Sequence, residues 1–162
     1  MIFVILGTQD KKFYRLLDAI QKQIDTGIIK EKIIVQAGYS SDYKTKDMEI
    51  YDLLPMDDFK KIIKESKFVI THAGVGSILD ALKNDKKVIA AARLKKYKEH
   101  TNDHQVQICK KFSEMGYIIE LKDFNKLGDI IKEIDTFKPK KYCKKNRQII
   151  EIIENFINKE KL

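Results

Sequence analysis

Short apolar runs alternate along this chain with segments whose apolar residues recur every three or four positions. Residues 2–6 are apolar on both faces, which predicts a central parallel strand, and Gly7-Thr8-Gln9 is the loop that follows it. Phe13, Leu16, Leu17, Ile20 and Ile24 form a helical stripe that Gly27 stops. Residues 33–36 read as a second strand, and residues 48–51 alternate weakly, as a short edge strand does. Pro55 suits the start of a helix carrying Met56, Phe59, Ile62 and Ile63. Residues 68–82 predict a buried strand, a tight loop and the first turns of a helix. A strand over 87–92 and a long basic loop over 93–102 come next. A helix carrying Val106, Ile108, Cys109, Phe112 and Met115 follows, with a last strand over 117–121. The chain closes with a helix over 124–134, interrupted at Gly128, and a final helix over 142–158.

Each link is short enough for a right-handed crossover. No repeat, low-complexity linker or second domain breaks the pattern. The expected fold class is α/β, a Rossmann-like doubly wound parallel sheet of about six strands, in a single domain over residues 1–162.

Composition narrows the setting. Charged residues make up 35% of the chain and the formal net charge is +8, which favours anionic partners such as nucleotides or phospholipid head groups. Taken alone, the charge is explained more simply by a solvated Lys-rich surface. Cys109 and Cys143 lie far apart in no metal-ligand spacing and read as free thiols of a reducing compartment. The N-terminal apolar run is too short for a signal peptide, and no run approaches membrane-spanning length, so the expected location is the cytoplasm. Aromatic and basic residues do not interleave, which speaks against a nucleic-acid partner.

The candidate chemistry centres on His72-x-Gly74-x-Gly76-Ser77-x-x-Asp80. A loop at the carboxyl end of a parallel strand lies where α/β folds bind ligands, and amides at a helix start favour an anion. Gly74 and Gly76 leave the backbone open to phosphates, while Ser77 and His72 can donate to the same oxygens. Asp80, one turn on, can accept from ribose hydroxyls. The same residues also suit a plain strand–helix turn with Ser77 as its cap, and spacing does not choose between the two. Neither the dinucleotide fingerprint nor the P-loop Lys is present.

This motif, followed further on by Asp103-His104-Gln105, resembles the C-terminal, donor-binding half of family 28 glycosyltransferases of the GT-B architecture. The likeness runs from residue 3 to at least residue 121. The opening Leu6-Gly7-Thr8, with Arg93-Leu94-Lys95-Lys96-Tyr97 and Glu99-His100-x-x-Asp103-His104-Gln105, is most similar to the catalytic subunits of two-component polysaccharide glycosyltransferases of the PssE/CpsG type. The cytosolic subunit of the eukaryotic dolichol-linked GlcNAc transferase is more distantly similar. The resemblance implies that Gly7 and Thr8 form a first diphosphate loop and that His72, Gly74, Gly76 and Ser77 form a second. It places Asp80 on the uridine ribose, where the family more often has Glu. It places His104 and Gln105 on donor-sugar hydroxyls, with Asp103 beside them. Arg93 stands where many relatives have proline, either near the diphosphate or facing solvent. Glu99 and His100 are candidates for donor-sugar or partner contact. Structural roles compete with these: an ordinary turn at Gly7-Thr8, a helix N-cap at Asp103, and a solvated loop over 93–98.

The resemblance also implies what is supplied elsewhere. The acceptor and the general base belong to the other half of a GT-B enzyme, and no His or carboxylate here is a convincing base. The expectation is an inverting UDP-sugar-dependent hexosyltransferase subunit that acts on a lipid-diphosphate-linked saccharide in exopolysaccharide or capsule assembly. Its partner would be a membrane-anchored acceptor-binding subunit. No metal or cofactor enters this scheme, and no Asp-x-Asp motif is present. The stripe Ile149, Ile150, Ile152, Ile153, Phe156 and Ile157 suggests docking onto that partner at the inner face of the membrane. Six of the ten residues 138–147 are basic, which suits a nearby anionic lipid surface. The stripe also fits a last helix packed on its own sheet. The competing functions are a non-catalytic UDP-sugar-binding regulatory subunit and a UDP-GlcNAc 2-epimerase-like protein, which would need a second domain.

Overall fold

A computed structural model describes residues 1–160, without the side chains of residues 157, 159 and 160. Its centre is a six-stranded sheet: β1 (Ile2–Ile5), β2 (Ile33–Gln36), β3 (Glu49–Tyr51), β4 (Val69–His72), β5 (Val88–Ala91) and β6 (Ile119–Glu120). The order is β3-β2-β1-β4-β5-β6 and every pairing is parallel. This is the doubly wound arrangement. The chain reverses direction across the sheet between β1 and β4, so the connections after those two strands run to opposite sides of the sheet and a crevice opens at their carboxyl ends.

Alternation along β1 builds both layers. Ile2, Val4 and Leu6 face one core, with α1 (Tyr14–Asp25) and α5 (Leu127–Glu133) against it. Phe3 and Ile5 face the other. That second core takes Ile63 of α2 (Met56–Glu65), Ile78 of α3 (Val75–Lys83), Phe112 of α4 (His104–Glu114) and Ile149 of α6 (Arg147–Glu160). Both faces of the sheet are therefore covered, and β1, β2, β4 and β5 are buried along their whole length.

Several boundaries differ from the sequence reading. The final helix begins at Arg147 because Asn146 caps it: the Asn146 Oδ1 accepts from the Gln148 amide at 3.0 Å. Residues 142–146 precede it as a turn-containing segment. The last strand shrinks to Ile119–Glu120, an edge strand with one neighbour. Gly128 does not interrupt a helix. A 3-10 turn, Phe124–Lys126, leads into α5, and Gly128 sits in the first turn of α5. A Cβ there would lie 2.4 Å from Oε1 of Gln23, so the glycine lets α5 approach α1. The apolar stripe of α6 packs largely on this chain's own sheet: Ile149 and Ile152 are buried, Ile153 and Phe156 pack against the same core, and Ile150 is 40% exposed. The side chain of Ile157 lies outside the described residues. Cys109 and Cys143 are both free thiols.

Candidate functional site

The parallel register sets Ile5 beside Thr71, so β1 and β4 end together and their two glycine loops meet. Between the loops stands the ring of His72. A Cβ on Gly7 would lie 2.6 Å from its Nε2, and a Cβ on Gly74 would lie 2.3 Å from the same atom. No side chain fits at either position with the ring in place. Gly7 also has φ +79, a conformation that favours glycine. Thr71 Oγ1 donates to the Ile5 carbonyl at 3.1 Å, and His72 Nδ1 lies 3.2 Å from the same oxygen.

Gly74 occupies the N-cap position of α3, and Ser77 is the third residue inside the helix. The reading of Ser77 as the cap therefore fails: the helix starts three residues earlier, and its N-cap, Gly74, has no side chain to cap it. The amides of residues 75–77 have no partner within the helix by its geometry, and the positive end of the helix dipole coincides with them. They open on a cleft of about 420 Å³. A Cβ on Gly76 would meet nothing within 4 Å.

The cleft brings together Gly7, Thr8, His72, Gly74, Gly76, Ser77 and Asp80, with His100 and Gln105 on the β5 side. Asp80 is half exposed, 3.9 Å from Lys83 Nζ. Asp103, His104, Arg93 and Glu99 are not among the lining residues. His104 instead borders a groove between α4 and α6. Asp103 holds the N-cap position of α4, but its Oδ1 accepts from the Lys95 amide at 2.8 Å, while Asn102 Oδ1 takes the His104 amide at 3.0 Å.

Arg93 faces neither solvent nor the cleft. It is 1% exposed, donates from Nη2 to the Leu6 carbonyl beneath the first glycine loop, and lies 5.6 Å from the Phe13 ring centre. Its Nε and Nη1 have no partner among the described residues. Burial lowers its pKa to about 10, opposed by the nearby Glu99 carboxylate. Burial also pushes His72 down to about 3, with Arg93 adding to the effect, so the ring is neutral at physiological pH.

The loop after β5 is braced from inside rather than solvated. Glu99 accepts two hydrogen bonds from Arg15, from Nε at 2.9 Å and Nη2 at 2.7 Å, and accepts the Leu94 amide at 3.0 Å. Arg15 also stacks on Phe124, 4.0 Å from its ring centre. Gln105 Oε1 accepts the Arg93 amide at 3.0 Å. The Glu99 and Gln105 side chains thus spend acceptors on loop geometry.

Sequence reasoning missed the far wall of the cleft, built from Gln9, Gln36, Leu53, Leu54, Met56, Phe59 and Phe156. Gln36 was legible in principle, as a polar residue ending an apolar strand. Its Oε1 accepts the Leu54 amide at 3.0 Å and fixes that wall. Among the described residues, no group of three His, Cys, Asp or Glu side chains could hold a metal ion. No helix among them is long and apolar enough to cross a membrane.

With this geometry in view, residues 1–159 match the glycosyltransferase family 28 C-terminal domain. The chain belongs to that family. Among curated relatives, the UDP-N-acetylglucosamine transferase subunit ALG13 of Candida glabrata is 36% identical over 80 residues, covering 48% of this chain and 37% of the relative. The ALG13 subunit of Debaryomyces hansenii is 29% identical over 156 residues, covering 85% of this chain and 70% of the relative. This chain spans about a third of the length of the first relatives it matches. A solution structure of ALG13 superposes with a TM-score of 0.57 at 22% identity, covering 94% of this chain and 93% of that one, which shows a shared fold.

Proposed function

We propose that this chain is the donor-binding subunit of an inverting glycosyltransferase that transfers a sugar from a UDP-sugar. One observation carries the reading: two glycine loops converge on His72 beside the open N-terminus of α3, in a cleft at the point where the sheet reverses direction. The diphosphate lies against the amides of residues 75–77, with Thr8 and Ser77 donating hydroxyls. Asp80 accepts from the ribose. His100 and Gln105 face the sugar, with Asp103 and His104 acting from behind them through the start of α4. As the glycosidic bond breaks, charge builds on the departing UDP, and the fixed amides and helix dipole meet it without rearrangement.

The general base and the acceptor site come from a second, membrane-anchored polypeptide, which holds this chain at the inner face of the membrane. The relatives named as subunits support a two-chain enzyme. The exposed Ile150 edge of α6 is the docking contact. We assign the acceptor as a lipid-diphosphate-linked saccharide of surface-polysaccharide assembly, on the likeness of residues 93–105 to that group. The scheme needs neither cofactor nor metal.

Titration calorimetry with UDP, UDP-glucose and UDP-N-acetylglucosamine tests the donor site. Absence of binding, alone and with the partner co-expressed, overturns it. Transfer to a lipid-linked acceptor by the co-expressed pair supports catalysis. Tight UDP binding with no transfer from any donor favours a regulatory subunit instead.

A further inference from the structure

The ring that separates the two glycine loops holds its proton on the side away from them. His72 Nδ1 lies 3.2 Å from the Ile5 carbonyl oxygen, and a carbonyl only accepts. Thr71 Oγ1, 3.4 Å from the same nitrogen, gives its own proton to that carbonyl. The neutral ring is therefore the Nδ1–H tautomer. Its Nε2 is turned to the loops, as the close approach of both glycines to that atom shows. Anything lodged there meets a lone pair, which repels a phosphate oxygen.

The charges around the ring explain why it is neutral without a ligand. Arg93, at the end of β5, and His100, in the loop after it, both disfavour an imidazolium, in addition to burial. From α3 the facing carboxylate is Asp80, which is half exposed and beside Lys83. From β1 the ring meets the Ile5 carbonyl. A diphosphate in the cleft, which His72 lines, adds negative charge beside the ring and reverses that balance.

We infer that donor binding is coupled to the uptake of one proton by His72, so that the diphosphate is met by an imidazolium rather than an imidazole. This inference rests on the donor reading above. Nδ1–H stays on the Ile5 carbonyl while Nε2 takes a proton from solvent and presents it to a phosphate oxygen. The proton returns to solvent when UDP leaves, so none is consumed in turnover. While held, it offsets charge on the leaving group.

The test is calorimetry near neutral pH, with UDP-glucose and UDP-N-acetylglucosamine, in two buffers of different ionisation enthalpy. The diphosphate of a UDP-sugar has no proton to exchange in this range. The expected result is uptake of close to one proton per ligand bound. Affinity should fall, by up to about tenfold per pH unit, as the pH rises from the ring's free titration range towards its bound one. His72→Gln keeps a donor but cannot ionise, so its binding should release no buffer-dependent heat. Should that variant not fold, nitrogen NMR of the wild-type ring reports the same change, from the Nδ1–H tautomer to the imidazolium on adding ligand. Binding without proton uptake, a ring that stays neutral in the complex, or uptake that persists in His72→Gln each overturns the inference and leaves the donor reading intact. Absence of any binding overturns the donor reading itself, and this inference with it.

Discussion

A methyl group added at Gly74 would sit 2.3 Å from Nε2 of His72, closer than any real contact allows. The larger side chain of Gly74→Val must push the ring out of its place between the loops. The expected outcome is loss of measurable UDP binding by calorimetry. Secondary structure by circular dichroism should be retained, because apart from Ala73 and Val75 both cores are built from residues outside this loop. Unfolding would instead mean that the turn serves only the fold. His72 also predicts an acid-sensitive fold. Its pKa is about 3 in the folded chain and near its ordinary value of about 6.5 when unfolded. Between those values the unfolded chain binds more protons, so stability rises with pH there and is lost as pH falls from about 6.5 towards 3, by up to about 1.4 kcal/mol per pH unit. His72→Gln should flatten that limb in urea titrations across the acid range. An unchanged slope would show that other groups set it.

Among the elements, the loop between β5 and α4 depends on a contact made far from it. Arg15 of α1 holds Glu99 with two hydrogen bonds, and Glu99 in turn holds the backbone at Leu94. Glu99 is nearly buried while Arg15 is about a quarter exposed, so water partly screens the pair. Arg15→Ala leaves the carboxylate without its cation and removes the stacking on Phe124. We expect a loss of roughly 1–3 kcal/mol in chemical denaturation, below the cost of breaking a fully buried pair. We also expect weaker discrimination among UDP-sugars, since His100 reaches the cleft from this loop and Gln105, in the first turn of α4, is tied to it through the Arg93 amide. Equal affinity losses for UDP and for UDP-sugars would place the effect outside the sugar end. The strands and the glycine loops were legible because each depends on residues close in sequence. The brace was not, because no local pattern links residues 15 and 99. The start of α6 was missed for a related reason: residues 142–146 continue an apolar-polar pattern, but Asn146 is the residue that caps the helix.

For the whole molecule, the net charge of +8 and the basic run over 138–147 bear on where the chain works. Opposite charge should draw it weakly to anionic lipid. In vesicle sedimentation, binding to phosphatidylserine-containing vesicles should exceed binding to neutral ones and fall steeply as salt is raised past physiological strength. Salt-insensitive binding would point to apolar insertion instead. No binding would show that this charge does not by itself place the chain at a membrane. The cleft draws its lining from β1, β2, β4, α2, α3, the start of α4, α6 and the loops between them.

By itself the sequence determined the alternation of strands and helices, the two glycine loops and the family motif, because period, turn chemistry and spacing are local properties of a chain. The tertiary structure decided which of those residues share a space. It put Gly7 and Gly74 on either side of one imidazole, drew Arg93 under the first loop, set Asp103 to bracing a backbone amide and moved His104 to another groove. It also decided the tautomer of His72, through the Ile5 carbonyl of the neighbouring strand. Parallel pairing brings together residues far apart in the chain, and burial sets their protonation, so neither is written in any one segment.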